Sequence, residues 1–321
     1  MTRVPSPSLA DLLERVLEGD PTSCLEEAEP RSRRDRFLTL LRVYDLHTAP
    51  LATLGDAARL QGDPAVAAVK QRLEQAWLAE LEQSWAAAGQ EAVTGPEQAV
   101  AAMRAVAAQD RLPESYRWLA QQADWPQVVE FLALEGGPDG GFDDLVAGCQ
   151  VGLTGGPKLE LARNYWDEMG GGDPDAVHTV LHDRLVAAVG MPRVPRADQP
   201  VAALERAALG GLLATNRWLQ PEMVGALGLL ELQAGPRCRL VLQAFDRLGA
   251  PEDAYPFYSE HAEVDPRHGK DWVEKAIAPL VAEHPAWGDR IVKGAWWRAT
   301  VNLAFFADLH RRLAGELAHA A

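Results

Sequence analysis

The sequence predicts an all-α protein, and two observations carry this prediction. The composition is dominated by Ala, Leu, Glu, Arg and Gln, which favour the helix, whereas runs of β-branched residues are scarce. Apolar residues recur at helical spacing along the chain, and no alternating pattern of useful length indicates a strand. With 321 residues, 47% of them hydrophobic, the chain can form one large domain or two modest ones.

Helix signals can be followed in order from the N-terminus. An amphipathic helix begins after Ser8, which fits an N-cap, and Pro126 lies in the first turn of a helix over about 127–134. We expect Gly136-Gly137-Pro138 to end that helix, and Thr154–Pro157 to form a turn. The other helices are predicted over about 33–46, 65–88, 97–109, 113–123, 142–151, 158–169, 175–189, 200–217, 221–233, 236–248, 252–268, 270–283 and 287–317.

The charge and the apolar pattern narrow the range of partners. A formal net charge of −15 argues against nucleic acid and anionic membranes, since both need basic patches. The N-terminus lacks the apolar core of a signal peptide, and no stretch has the length of a membrane span. The three cysteines are far apart in sequence and fit buried thiols in a reducing compartment. They are Cys24, Cys149 and Cys238. We therefore expect a cytoplasmic protein.

The sequence marks the domain boundary less clearly than it marks the helices. We expect a boundary near residue 110, between an N-terminal helical region over 1–110 and a helical core domain over 111–321.

Two histidines and an aspartate share one predicted helix face. The offsets of four and seven residues place His261, Asp265 and His268 within about 60° of one another. Two imidazoles and a carboxylate suit iron or manganese. Pro266 would bend this helix or disturb its hydrogen bonding. The alternative is a polar, solvated helix face.

A second candidate pair flanks a glycine run. In one straight helix Glu168 and His178 would lie about 15 Å apart, too far for one metal centre. Gly170–Gly172 and Pro174 would allow the chain to fold back and bring them together. Alternatively, Glu168 is a surface acid, His178 is a core histidine and the glycines only end a helix.

Two further carboxylates close apolar runs. Glu135 follows Phe131–Leu134, and Glu231 ends the apolar segment that begins at Gly225. A buried acid needs a partner, which a metal ion would supply. Exposure at a helix end is the simpler explanation for both.

Together these residues place carboxylates and imidazoles on at least four helices. Two iron ions about 3.5–4 Å apart need several such ligands and open positions for dioxygen. Helical bundles can aim side chains from neighbouring helices at one point.

The run from Lys158 to Glu168, the glycine break, His178 and the His261/Asp265/His268 triplet resemble the haem-oxygenase-like di-iron oxidases and oxygenases, also called iron-containing redox enzymes. The resemblance covers about residues 110–285, with no part in the N-terminal hundred residues. It implies a helical bundle of about seven core helices with additional N-terminal helices, and a catalytic domain over 111–321.

The resemblance also implies a metal site and a reaction class. The six ligands, through which catalysis would run, are Glu135, Glu168, His178, His261, Asp265 and His268, with Glu231 as an additional carboxylate. Two Fe(II) ions would activate O2 through a peroxo-di-iron intermediate. The enzyme would be an O2-dependent non-haem di-iron oxidoreductase of specialised metabolism, performing N-oxygenation, C–H or C–C oxidation, or oxidative decarboxylation. The substrate would be a small metabolite, amino-acid-derived or carboxylate-bearing. An external electron donor and a homodimer fit this interpretation.

Three other interpretations stay open from the sequence. One is a helical protein of the same architecture that binds haem or an organic cofactor without a di-iron site. Another is a ferritin-like di-metal protein, which would require two Glu-x-x-His pairs, where this chain has only Asp175-x-x-His178 and Asp265-x-x-His268. The third is a structural scaffold. Arg163 and Arg298 could hold a substrate carboxylate, although surface ion pairing is the simpler role for both.

Overall fold

The computed structural model describes residues 7–136 and 141–315, and within these ranges the chain is helical and contains no strand. Gly137 and Pro138, two of the predicted helix-ending residues, lie outside the described ranges. The α-helices are Leu9–Leu17 (α1), Arg33–Thr48 (α2), Leu51–Leu54 (α3), Pro64–Ala87 (α4), Pro96–Gln109 (α5), Glu114–Gln121 (α6), Trp125–Glu135 (α7), Phe142–Cys149 (α8), Gly155–Glu168 (α9), His178–Val189 (α10), Val201–Thr215 (α11), Gln220–Leu248 (α12), Tyr255–Asp271 (α13), Ala278–Glu283 (α14) and Gly288–Leu313 (α15). The all-α prediction is confirmed. None of the helices within the described ranges is long and apolar enough to cross a membrane.

The chain divides into two compact units, one of residues 1–90 and 195–216 and one of residues 91–194 and 217–321. These units do not coincide with the predicted regions, because residues 91–110 fall in the larger unit and α11 in the smaller one. The domain boundary near residue 110 stays a prediction.

In the smaller unit, α2 packs against α1 and α11. The buried Asp35 carboxylate accepts hydrogen bonds from the backbone N–H groups of Leu9 and Ala10 at 3.1 and 2.9 Å, which satisfies the unpaired start of α1. The Tyr44 ring lies where a side chain at Gly211 would be, since a Cβ there would meet Tyr44 Cδ2 at 2.2 Å. α2 and α11 therefore pack closely through this glycine.

The larger unit is built around α12, which packs against α13 and α15. A Cβ at Gly225 would lie 1.8 Å from the Ile291 carbonyl oxygen, and a Cβ at Gly294 would lie 1.9 Å from that of Glu222. These glycines let the backbones of α12 and α15 approach closely. On the other side of α12, Gly235 lies against the Pro266 ring of α13.

One predicted break between helices is absent because packing overrides local propensity. α12 continues through Pro236 as one helix, although a break over 233–236 was expected. Gln233, Arg237 and Cys238 are all buried around this proline, and such packing offsets the cost of about 3 kcal/mol for an interior proline. α13 continues through Pro266, in agreement with the single helix predicted over 252–268.

The predicted separation of helices at 268–270 is also wrong. α13 leads directly into a π-helix at Trp272–Ile277 and then into α14. The buried Trp272 indole donates a hydrogen bond to the Val224 carbonyl oxygen at 3.0 Å. π-Helical turns are frequent at functional sites. This one begins four residues after His268, the last of the three candidate ligands on α13.

Two helix starts also differ from expectation. Gly155–Pro157 form the first turn of α9 and not a loop, a position where the missing N–H of proline costs little. α10 begins at His178 and not at Asp175. The Asp173 carboxylate accepts the Asp175 N–H at 2.9 Å and holds this segment in a turn.

Candidate metal centre

A tight turn brings Glu168 and His178 together, as the glycine run indicated. Gly170, Gly171 and Gly172 all have positive φ, between 62° and 94°, which residues with a side chain rarely adopt. A Cβ at Gly170 would also lie 2.6 Å from the backbone of Ala176. The chain therefore reverses between α9 and α10, and Glu168 Oε2 lies 2.7 Å from His178 Nδ1.

The helical spacing of the triplet on α13 places its members along one face. His261 Nδ1 lies 2.6 Å from the Phe257 carbonyl oxygen, so it donates there and leaves Nε2 available as a metal ligand. The ring of His261 lies 4.5 Å from that of His178, measured between centroids. α13 is thereby joined to the reversal between α9 and α10.

The described side chains form two clusters in which three ligand atoms lie within 4.8 Å of one another. The first cluster is Glu168, His178 and His261, and the second cluster is Glu231, Asp265 and His268. All six residues except the half-buried His261 are buried. The charge of Glu168 acts on both Glu231 and Asp265, so the clusters are electrostatic neighbours.

α9 contributes two polar residues to the second cluster that the sequence analysis missed. The Asn164 amide donates to Glu231 Oε1 at 2.7 Å. Asp167 Oδ2 lies 2.8 Å from His268 Nε2, which directs His268 Nδ1 towards Glu231 Oε2 and Asp265 Oδ1 at 3.7 and 3.9 Å. Hydrogen bonds of this kind fix the tautomer and orientation of a metal-binding histidine.

A sequence signal for these two residues does exist. Asn164 and Asp167 precede Glu168 by four and one positions, and Asn164 shares a helix face with Glu168. The polar side chains of α9 that point inward could have been grouped with Glu168 on that basis.

A close approach of α12 and α13 makes the burial of Glu231 possible. A Cβ at Gly269 would lie 2.8 Å from the Glu231 carbonyl oxygen. The alternative interpretation of Glu231 as an exposed acid at a helix end is wrong. Glu231 is 3% exposed and lies in the middle of α12.

The donor set of the second cluster fits a metal ion. Glu231 Oε2, Asp265 Oδ2 and His268 Nδ1 are buried and have no hydrogen-bond partner among the described residues. Unpaired buried polar atoms are costly, and one ligand atom from each of these three residues lies within 4.8 Å of the other two, close enough to share one cation. Carboxylate oxygen and imidazole nitrogen are ligands that suit iron.

The pKa shifts follow from burial and from like charges. Burial, together with the charge of Glu168, raises the pKa of Glu231 to about 8. Burial and the Glu231 charge also raise the pKa of Asp265 well above its ordinary value. These acids resist ionisation without a cation, and a bound metal would reverse that preference.

The two histidines of the first cluster differ in their titration. Burial, with the charge of His178, lowers the pKa of His261 to about 4, so His261 is neutral at pH 7 and can bind metal. Burial would lower the pKa of His178 too, but the Glu168 carboxylate raises it above the ordinary value.

Glu135 belongs to neither cluster. It lies half-buried at the end of α7, where Glu135 Oε1 accepts a hydrogen bond from the Tyr116 hydroxyl at 3.0 Å. The structure thus places five of the six predicted ligands in the two clusters, together with Glu231, the predicted additional carboxylate. A metal role for Glu135 stays a prediction.

The two arginines considered for a substrate carboxylate have different surroundings. Arg163 pairs with Glu160 at 3.3 Å and is largely exposed, which fits surface ion pairing. Arg298 is 4% exposed, so a surface ion pair is the wrong interpretation for this residue.

The comparison with known proteins agrees with this site. The family model of iron-containing redox enzymes matches residues 129–302, more than half of the chain. All seven candidate ligands lie within the matched range. No curated protein matches the chain. The chain therefore has an iron-dependent oxidative function and belongs to the haem-oxygenase-like family of iron-containing redox enzymes.

Proposed function

We propose that the protein is a non-haem di-iron oxygenase or oxidase that uses O2 to oxidise a small metabolite. The observation that supports this most is the pair of adjacent three-ligand clusters, each with carboxylate and imidazole ligands. One haem would need only one or two axial ligands and a flat pocket, whereas two clusters of this composition suit two separate ions.

Each cluster would hold one iron(II). Glu168, His178 and His261 would bind the first ion, and Glu231, Asp265 and His268 the second. Glu135 is a further proposed carboxylate ligand from the end of α7. When bound, the two ions supply the electrons and the open coordination positions that dioxygen needs.

The surrounding residues would keep the ligands in position before the metal binds. The Phe257 carbonyl fixes the tautomer of His261, and Asp167 fixes that of His268. Asn164 holds one oxygen of Glu231 and leaves the other free. The helices thereby reduce the rearrangement that metal binding requires.

The substrate would be amino-acid-derived or carboxylate-bearing, and the reaction N-oxygenation, C–H or C–C oxidation, or oxidative decarboxylation. We further propose that an external donor restores iron(II), that the protein works in the cytoplasm and that it forms a homodimer.

Iron loading followed by exposure to dioxygen tests the proposal. Anaerobic apoprotein would be loaded with iron(II), its bound iron counted, and its visible absorbance followed after O2 is added. We expect two irons per chain and a transient coloured species in the wild type, and loss of both properties in His261→Ala. His182→Gln is the matched control, because His182 contacts Phe257 but belongs to neither cluster.

A wild-type protein without stoichiometric iron would contradict the proposal. So would equal losses in His261→Ala and His182→Gln, because the effect would then not be specific to the ligand.

A further inference from the structure

A cavity of about 210 Å³ is lined by α9 and α13 and reaches His268 of the second cluster. On α9, Glu160, Asn164 and Asp167 follow one another at intervals of four and three residues, so they share one helix face. His268 and Asp271, three residues apart on α13, line the same cavity. A polar face of each helix therefore borders this opening.

The side chains of this cavity become more buried towards the second cluster. The cations that line it are exposed, and the carboxylates Asp167 and Asp271 are half-buried. Asn164 and His268 are buried, at 4% and 6% exposure. Asp167 Oδ2 lies 2.8 Å from His268 Nε2, so a side chain that reaches solvent contacts a candidate ligand of the second cluster directly.

The two buried residues also carry unpaired polar atoms. Asn164 Oδ1 and His268 Nδ1 have no hydrogen-bond partner among the described residues. Unpaired acceptors in a buried position are costly, and oxygen and imidazole nitrogen are ligands that suit iron. The cavity thus leads from solvent towards residues whose unpaired atoms a cation would satisfy.

Each carboxylate of the cavity is paired with an exposed cation. The pairs are Arg163 with Glu160 at 3.3 Å, Arg267 with Asp167 at 3.0 Å and Lys275 with Asp271 at 2.6 Å. The side chains of all three cations are more than half exposed. Ion pairs of this kind are weak, so a doubly charged metal ion can displace the cations from the carboxylates.

A larger cavity, of about 350 Å³ and lined by α5, α12 and α13, differs in charge. Two of its cations, Arg111 and Lys270, are exposed and form no ion pair with the described residues. The unpaired oxygens of Glu231 and Asp265 behind it are buried. Uncompensated positive charges repel a metal ion, so this larger cavity is the less favourable way in.

We propose that iron(II) enters the second cluster through the smaller cavity, and that the carboxylates of Glu160, Asp167 and Asp271 bind it in transit. The ion displaces the exposed cations, and its capture by Asp167 breaks the contact between Asp167 and His268. The His268 ring is then free to turn and let the ion pass to Glu231. This inference rests on the proposed di-iron function and concerns how the metal arrives.

The rate of iron(II) loading, measured without oxygen, tests the proposal. Apoprotein would be mixed with iron(II) and, after set times, with a chelator that captures unbound iron, so that the iron held by the protein can be counted. The loading phase that is absent from His268→Ala is assigned to the second cluster.

Removing two cations from the smaller cavity should speed this phase. Arg163→Gln/Lys275→Gln leaves two carboxylates unpaired, and we expect loading about tenfold faster than in the wild type, because a local negative potential concentrates cations. Arg111→Gln/Lys270→Gln is the matched control. It changes the net charge of the chain by the same amount but in the larger cavity, and should change the rate less than about twofold.

Removing two carboxylates should have the opposite effect. Glu160→Gln/Asp271→Asn leaves the cations of the smaller cavity in excess, and we expect the second-cluster phase to slow about tenfold. Neither residue belongs to a ligand cluster, so the iron content at equilibrium should remain two per chain.

The iron content at equilibrium is measured in every sample, so a failure to bind iron is seen separately from a change of route. Two irons per chain, with a second-cluster loading rate that neither variant of the smaller cavity changes, would overturn the inference and leave the di-iron function standing. Equal acceleration by the two cation variants would overturn it as well, because the attraction would then come from the net charge of the chain. A wild type that binds no iron would contradict the di-iron function and this inference with it.

Discussion

The contact between Asp167 and His268 leads to a specific prediction about metal affinity. Removing the carboxylate in Asp167→Ala frees His268 Nε2, so the ring can rotate and its Nδ1 no longer points at Glu231 and Asp265. Loss of such a partner commonly weakens metal binding ten- to hundredfold. The side chain of His268 is 6% exposed, but that of Asp167 is 35% exposed, so water can partly replace the lost acceptor.

The partial exposure of Asp167 places the expected effect at the low end of this range. We expect Asp167→Ala to weaken the second site about tenfold, which corresponds to about 1.4 kcal/mol. Asp167→Asn keeps an acceptor oxygen without the charge and should weaken metal binding at the second site only a few-fold. Anaerobic competition of the protein with a chromophoric chelator for iron(II) would measure both sites, and the first site should be unchanged.

Arg267→Gln is the matched control for this experiment. Arg267 pairs with the same oxygen of Asp167 at 3.0 Å, but its loss leaves the contact with His268 in place. Equal weakening by Arg267→Gln and Asp167→Ala would refute the positioning role, and so would an unchanged second site in Asp167→Ala.

Three further predictions follow from the structure. Metal binding should release protons below about pH 8, because Glu231 has a pKa of about 8 and must ionise to bind. Titration calorimetry in two buffers of different ionisation enthalpy would measure the number of protons released. The variant Glu231→Gln should release fewer protons than the wild type. Gly225→Ala should destabilise the fold by about 2–3 kcal/mol in urea unfolding, since its Cβ would meet a backbone oxygen. Gly156→Ala, with open space around its Cβ, should shift the same curve by less than about 1 kcal/mol. Iron(II) or zinc should raise the Tm of the wild type but raise that of His268→Ala much less, as differential scanning fluorimetry would show.

The sequence was a good guide to the helices and a weaker one to their ends. Local periodicity and capping depend on neighbours in sequence, so α7 was placed to within two residues. The sequence predicts two helices that meet at Pro236, but this proline lies inside one continuous helix, whereas Pro266 lies inside α13 as predicted. The compensating contacts come from distant segments, such as Gly235 against Pro266, and no local pattern reports them.

The candidate site, like the helix ends, could be predicted only in part from local sequence patterns. The spacing of His261, Asp265 and His268 within one helix is sufficient to put them on one face, and the glycine run was sufficient to indicate the reversal before His178. The choice between Glu135 and Glu231 depends on which helix packs against α13. That packing is set by small residues such as Gly269, whose role only the tertiary structure reveals.

The most direct test of the central claim is whether the two clusters hold a magnetically coupled pair of iron ions. The iron(II)-loaded protein would be oxidised with O2 and studied by Mössbauer and EPR spectroscopy, with iron counted in the same samples. The di-iron proposal predicts two irons per chain in a diamagnetic, antiferromagnetically coupled pair. One iron per chain, or two irons that give the EPR signal of isolated high-spin iron(III), would contradict it.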